Sequence, residues 1–339
     1  MIKLPFISVL MPVRNEADFI ERSLTAVLAQ DYPAESMEVI VIDGMSTDAT
    51  REAIAGFMLS DARIKLVDNP GRIVPTGLNA GLAVASGDVI VRVDGHCEIA
   101  PDYIRRAVAH LQTTSVDAVG GPLETVGETE VAAAIALAMS SPFGVGGSAF
   151  RTVKGRSMFT DTVAFPAYTR AAVEKAGLFD EELVRNQDDE YNYRLRKFGV
   201  KILLASDVKC RYFSRSSIRK VASQYFQYGF WKVRVLQKHP LQMRPRQFVP
   251  FLFVLSLTAL VMLAPFSQIA RWALVIQAGL YFLTSLIASI LCARTKLGVL
   301  TLLPIVFGVI HFSYGSGFVA GLIKFRNRWG MSAAKEAAA

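Results

Sequence analysis

Between residues 6 and 111 the chain alternates short β-rich runs with stretches of helical periodicity, and no other feature constrains the fold as much. The runs are 6–11, 39–42, 64–67 and 89–93. Between them, 16–30 repeats apolar side chains at helical spacing (Phe19, Ile20, Leu24, Val27, Leu28). Ser46 and Thr47 offer N-caps for a helix reaching Phe57, 75–85 opens with a proline in its first turn, and 101–111 is a further helix. Strands of this length separated by helices predict βαβ units and a mostly parallel sheet, an α/β fold. Right-handed crossovers bring the carboxyl ends of such strands to one rim, and open α/β sheets bind ligands there. Two of the runs end on an acid at that rim, Asp43 and Asp94.

The fourth run closes as Asp94-Gly95-His96. A carboxylate and an imidazole one residue apart at a strand end suit a divalent cation of the Mn2+ or Mg2+ kind that carries a phosphate. His96 ligates such an ion when neutral. The plainer alternative is a polar turn after a strand. Further on, Asn186-Gln187-Asp188-Asp189-Glu190 groups three acids where a helix over 190–198 begins, ahead of a strand over 200–204. Such a group supplies a carboxylate base for a hydroxyl nucleophile, or merely first-turn acids that suit the helix dipole. Gly144-Val145-Gly146-Gly147-Ser148 lacks the dinucleotide-binding spacing and reads as a flexible loop.

The 339 residues are 52% hydrophobic and only 19% charged, and the apolar residues are unevenly spread. From Phe248 to Ala293 the only charge is Arg271. Residues 248–266 and 272–293 each exceed the roughly 17 residues needed to span a bilayer, and 267–271 joins them as a hairpin. Arg244 and Arg246 precede it, and Arg294 and Lys296 follow, so the positive-inside rule places both outer ends in the cytoplasm. Residues 297–323 form a third apolar stretch, interrupted at 311–317 by His311-Phe312-Ser313-Tyr314-Gly315-Ser316-Gly317. It reads as a re-entrant or in-plane element, with a third span as the alternative. The organisation expected is a catalytic domain over 1–240, a membrane-anchoring region over 241–330 and a flexible tail over 331–339.

The net charge of +8 is concentrated. Residues 201–250 hold eleven basic side chains (Arg215 among them) against Asp207 alone, a block of +10 that leaves −2 elsewhere. Beside membrane-length segments, such a block fits an anionic membrane surface better than nucleic acid. Cys97, Cys210 and Cys292 form neither a zinc spacing nor a disulfide framework, which fits a reducing, cytosolic side. Residues 1–11 read as a first strand rather than a signal peptide.

Four motifs in order carry a resemblance: Val9-Leu10-Met11-Pro12-Val13-Arg14-Asn15-Glu16; Val41-Ile42-Asp43-Gly44-Met45-Ser46-Thr47-Asp48; Asp94-Gly95-His96; and Asn186-Gln187-Asp188-Asp189-Glu190 with Arg194-Leu195 downstream. Over residues 5–240 the chain resembles the family 2 glycosyltransferases, inverting enzymes of the GT-A fold. It is most similar to their ExoA-like, succinoglycan-type membrane branch, through Phe179-Asp180-Glu181-Glu182-Leu183 and 224–232. Three positions depart from the family pattern: Asp43-Gly44 stands for two acids, Asp-x-His for Asp-x-Asp, and Gln187-Asp188 for Glu-Asp. The processive Gln-x-x-Arg-Trp signature is absent, which favours one transfer per acceptor.

The resemblance implies a multi-pass cytoplasmic (inner) membrane enzyme with its catalytic domain in the cytoplasm, working in exopolysaccharide assembly. It would transfer a hexose, glucose by family precedent, from a UDP-sugar to a polyprenyl-diphosphate-linked saccharide. It implies Asp188 as base, with Asp189, Glu190, Arg211 and Trp231 on the acceptor side or supporting it. Pro12, Arg14, Glu16, Asp43, Arg72 and Asp94 would line the nucleotide-sugar site, and Asp94 and His96 would hold Mn2+ or Mg2+. The alternatives are another sugar or a simpler lipid acceptor, a nucleotidyltransferase, for which Arg14 is the one basic residue near the first loop, and a non-enzymatic membrane scaffold.

Overall fold

The structure, a computed structural model, describes residues 4–214, 217–293 and 297–329. Arg215, Arg294, Lys296 and the tail 331–339 therefore lie outside the described residues. Two compact units emerge, 1–124 with 149–213, and 125–148 with 214–339. The border does not coincide with the one expected near 240.

In the first unit every expected strand and helix of 6–111 is present. β1 (Ile7–Val13), α1 (Ile20–Leu28), β2 (Met37–Asp43), α2 (Thr50–Ser60), β3 (Ile64–Asp68), α3 (Val74–Val84), β4 (Val89–Arg92), β5 (Cys97–Ile99) and α4 (Tyr103–Thr113) follow in order. β6 (Ala118–Gly121) comes next, and β7 (Leu123–Val126) carries the chain out of the unit. β3, β2, β1 and β4 are parallel neighbours, with Val13, Asp43 and Asp68 in register at their carboxyl ends. All seven residues of β2 are buried, as a strand covered on both faces requires. One face packs Leu10, Ile40, Ile42 and Ile90 against Leu78.

At the opposite end of these strands Glu38 is buried as a structural carboxylate. It accepts hydrogen bonds from Ser8 Oγ (2.6 Å), Lys65 Nζ (2.7 Å) and both the amide and hydroxyl of Ser86 (2.8 Å each). Burial by itself would raise its pKa, but Lys65, Ser8 and Ser86 together outweigh that and hold it down at about 2.

The chain leaves this unit through α5 (Glu130–Met139) and the short α6 (Pro142–Val145), and returns with α7 (Ala149–Thr152), β8 (Met158–Phe159), β9 (Ala164–Thr169), α8 (Arg170–Ala176), α9 (Gln187–Lys197), β10 (Ile202–Leu204) and β11 (Cys210–Phe213). β9 runs antiparallel to β4 and to β6, and completes a mixed eight-stranded sheet in the order β3-β2-β1-β4-β9-β6-β10-β8. β5 and β11 pair antiparallel in a second, small sheet.

The second unit is helical: α10 (Ile218–Lys238), α11 (Val249–Leu263), α12 (Gln268–Ala293) and α13 (Leu297–Lys324), joined by α5 and α6. α11 has only 15 residues. At 1.5 Å per residue it covers about 22 Å against the roughly 30 Å of a hydrocarbon core, so the first arm of the expected 248–266 and 272–293 hairpin is shorter than the second. Among the described residues two helices are long and apolar enough to cross a membrane, Gln268–Ala293 and Gly298–Lys324. Of the most apolar window of α12, only 11% is buried.

α13 is one unbroken helix of 28 residues, without the turn a re-entrant element needs and with the form of either an in-plane helix or a third span. The small residues near 311–317 are there for packing. A Cβ at Gly317 would stand 2.1 Å from the carbonyl oxygen of Phe226, one at Gly321 would stand 2.5 Å from that of Phe230, and one at Gly229 would stand 2.0 Å from that of Tyr314. Glycine thus lets the backbones of α10 and α13 touch, as small-xxx-small seams do.

Candidate active site

Past the last residues of β1, β2 and β3 the backbone turns through non-glycine residues with positive φ: Asn15 (54°), Met45 (58°) and Arg72 (60°). Asn186 (64°) does the same just before α9. Left-handed positions of this kind are disfavoured by roughly 1–3 kcal/mol and collect at functional sites. Here they shape one rim.

The turns after β1 and β2 are stitched together. Asn15 donates its amide to Ser46 Oγ and accepts from the Thr47 amide, each at 2.9 Å. The Glu16 amide reaches Thr50 Oγ1 at 2.9 Å, and the Ala17 amide reaches Asp48 at 3.2 Å. This explains two differences from expectation. Ser46 and Thr47 do not cap α2, because they serve this network, and Asp48 accepts from the Thr50 amide instead (3.1 Å). α1 begins at Ile20 rather than near residue 16, because Glu16 stays in the turn.

That turn gives Glu16 its role. Its carboxylate lies 2.9 Å from Nδ1 of His96, and both side chains are nearly buried. The His96 ring packs edge-on against Tyr212. A carboxylate on one imidazole nitrogen fixes the ring and leaves Nε2 as the nitrogen for a metal ion, the usual arrangement of metal-ligating histidines. Among the described residues no group of three His, Cys, Asp or Glu side chains forms a cage. Two protein donors, Asp94 and His96, nevertheless fit a Mg2+- or Mn2+-type ion whose shell is completed by substrate phosphate and water.

Asp94 is held by Arg92, the last residue of β4, with Nε to Oδ1 at 2.9 Å and Nη2 to Oδ2 at 3.3 Å. The same guanidinium places Nη1 3.3 Å from Oδ1 of Asp188, which the start of α9 brings in. Arg92 is 8% exposed. Burial favours loss of its proton, but the charges of Asp94 and Asp188 outweigh that and hold the guanidinium firmly protonated. Asp188 is two-sided: Oδ1 is shut away from solvent, yet the side chain as a whole is 48% exposed. Sequence reasoning missed Arg92, which stands inside an apolar strand run with neither partner adjacent; only its charge in that setting marked it.

The other expected residues divide. Arg14 donates to the carbonyl of Arg72 at 3.3 Å, so these two meet at the rim. Pro12 is the penultimate residue of β1, beyond the point where pairing with β4 ends at Leu10 and Arg92. Asp43 is fully buried, with Ser46 (Oγ at 2.5 Å) and Arg51 (Nη1 at 2.6 Å) on its carboxylate, so what faces outward there is Arg51, which also binds Asp68 at 2.7 Å. Arg51 and Asp68 were not anticipated. Glu190 is buried in a pair with Arg194, whose guanidinium also reaches the carbonyls of Ala176 and Leu178, a structural tie. Asp189 is half-buried beside it. Arg211 is exposed and paired loosely with Glu124 at 3.5 Å. Trp231 belongs to the helical unit, where Nε1 donates to Gln227 at 3.0 Å and the ring packs on Phe325.

A mostly parallel sheet with a carboxylate–imidazole pair and a second, half-exposed carboxylate on one strand-end rim describes a transferase of the GT-A fold. The chain belongs to glycosyltransferase family 2, whose model (Glycosyl transferase family 2) matches residues 8–177. It is 31% identical to the succinoglycan biosynthesis protein ExoA of Rhizobium meliloti (strain 1021), over 94% of this chain and 96% of that protein. It is 28% identical to a dolichyl N-acetyl-alpha-D-glucosaminyl phosphate 3-beta-D-2,3-diacetamido-2,3-dideoxy-beta-D-glucuronosyltransferase of Methanococcus voltae, over 94% of this chain and 98% of that one. Among solved structures, the mannosyltransferase PcManGT from Pyrobaculum calidifontis, in complex with GDP-Man and Mn2+, superposes with a TM-score of 0.61 at 20% identity, covering 95% of this chain and 88% of that one.

Proposed function

We propose that the chain is an inverting hexosyltransferase that moves a sugar, glucose in the first instance, from a UDP-sugar to a polyprenyl-diphosphate-linked saccharide at the cytoplasmic face of a membrane. The observation that carries this reading is the junction of Asp94 and Asp188 on one guanidinium, which puts a donor-side carboxylate and a candidate base on the same rim. Asp188 accepts the proton of the acceptor hydroxyl as its oxygen attacks the anomeric carbon. The bond to the nucleoside diphosphate breaks on the opposite face, so the configuration inverts. Asp94 and His96 would hold a divalent ion, which when bound serves as a Lewis acid toward the departing diphosphate. Glu16 fixes the His96 ring for that task. Arg14, Arg72, Arg51 and Asp68 edge the nucleotide side, and the buried Asp43 holds Arg51 in place.

Exopolysaccharide assembly is supported by the succinoglycan relative, and a lipid-linked acceptor by the name of the Methanococcus relative. That second name specifies a uronic-acid sugar, which keeps a donor other than glucose as the alternative. The apolar surfaces of α12 and α13 and the basic block support attachment to an anionic membrane. Membranes containing the protein, given Mn2+ and a panel of nucleotide sugars, should release nucleotide and form a labelled glycolipid with one donor of the panel. Hydrolysis or transfer with none of them would overturn the reading, and full activity in excess chelator would remove the ion from it.

A further inference from the structure

Arg92 lies at the inner end of the rim and is more than nine-tenths buried. The other residues of β4 are Val89, Ile90 and Val91, so the strand does not need an arginine for its packing. A buried guanidinium is unfavourable unless its charge is matched; here Asp94 hydrogen-bonds one edge and Asp188 pairs with the charge at the other, both carboxylates with roles in the reading above. One edge, Nε and Nη2, faces Asp94; the other, Nη1, faces Asp188. The fork is planar and rigid, so fixing one edge fixes the direction of the other. Asp188 is the second residue of α9, two positions after the left-handed Asn186, and Arg92 pairs its inner oxygen with the sheet.

We propose that Arg92 is the positioning residue of this transferase: one buried guanidinium sets the direction of the base Asp188 relative to the donor-side carboxylate Asp94. It holds Oδ1 of Asp188 inward and turns the remainder of the carboxylate toward the acceptor. Arg92 touches no reacting atom and works through Asp188. Misplacing a reacting group by about 1 Å is enough to lose on the order of 10²-fold in rate. The inference rests on Asp188 being the base.

Arg92→Lys keeps the charge but loses the two-edged fork. It should lower kcat by about 10- to 100-fold, with the KM for donor changed by less than about threefold. In an Asp188→Asn background the same change should lower the residual rate by less than about threefold, because the group it positions no longer takes a proton. Losses that multiply, or normal turnover of Arg92→Lys, would overturn the proposal. A crystal structure of Arg92→Lys gives a readout independent of turnover: the Asp188 carboxylate should be displaced while the backbone of α9 is not. An unmoved carboxylate also overturns the proposal. If Arg92→Lys does not fold, Asp188→Glu replaces it. That variant retains proton acceptance one methylene further out, and should fall within about threefold of Asp188→Asn, whereas activity near wild type would overturn the positioning role. A wild-type protein that transfers no sugar from any donor would defeat the transferase reading instead, and the crystallographic comparison would still decide whether Arg92 fixes Asp188.

Discussion

Asp188 keeps one oxygen buried and the rest of its carboxylate open, and that split separates binding from chemistry. Asp188→Asn preserves size and much of the hydrogen bonding but removes proton acceptance. Turnover should drop by about 10²–10⁴-fold, while titration calorimetry with UDP and Mn2+ should find affinity within about threefold, roughly 0.6 kcal/mol. Normal turnover here, together with an inactive Asp189→Asn, would move the base by one residue. Glu16 makes a different prediction. Since its carboxylate holds Nδ1 of His96, Glu16→Gln should weaken Mn2+-dependent nucleotide binding by about 10- to 100-fold. Unchanged metal dependence in a binding assay would detach Glu16 from the ion. Asp94, His96 and Asp188 were legible in the sequence because an acid at a strand end and acids at a helix start stand out locally. Arg92, Arg51 and Asp68 were not, since each takes its meaning from a partner that only the folded sheet supplies.

The elements were legible where a hydrophobic period changed, which is why the βα series of 6–111 could be read almost entire. Their ends were less so, because a side chain such as Ser46 can cap a helix or tie two turns together, and local sequence does not choose. Two elements carry predictions. The Glu38 cluster ties β2 to β3 and to the residues before β4. Its folded pKa of about 2 lies below the usual carboxylate value near 4.3, so its contribution is complete above that value and is lost as the pH falls from there through 2. Glu38→Gln should cost about 1.5–3 kcal/mol at neutral pH and flatten acid unfolding between pH 4 and 2; a stability–pH curve parallel to wild type would contradict this. In the helical unit, Gly317→Ala places a methyl on the Phe226 carbonyl and should destabilise by about 1–3 kcal/mol despite alanine's better helix propensity. Gly308→Ala meets nothing within 4 Å and should be neutral or stabilising, so equal thermal midpoints for the two variants would refute the seam.

Across the whole molecule, the two compact units divide at 124/125, 148/149 and 213/214, not at the composition change near 240. α5 and α10 join the helical unit because their partner is the distant α13, and linear composition carries no sign of that pairing. Cysteine labelling of intact cells tests the proposed topology: Ser267 or Gln268, between α11 and α12, should react from outside and Ser46 should not. External labelling at Ser46 would invert the arrangement. The stitched turns after β1 and β2 also bear on the thermodynamics of donor recognition. Asn15, Ser46, Thr47, Asp48 and Thr50 have bonded to one another before any nucleotide arrives, so the loss of backbone freedom belongs to folding and not to association. Nucleotide binding at this edge should therefore show a binding enthalpy nearly flat with temperature, its small negative heat-capacity change matching the apolar area of the nucleotide itself and leaving none for the ordering of loops.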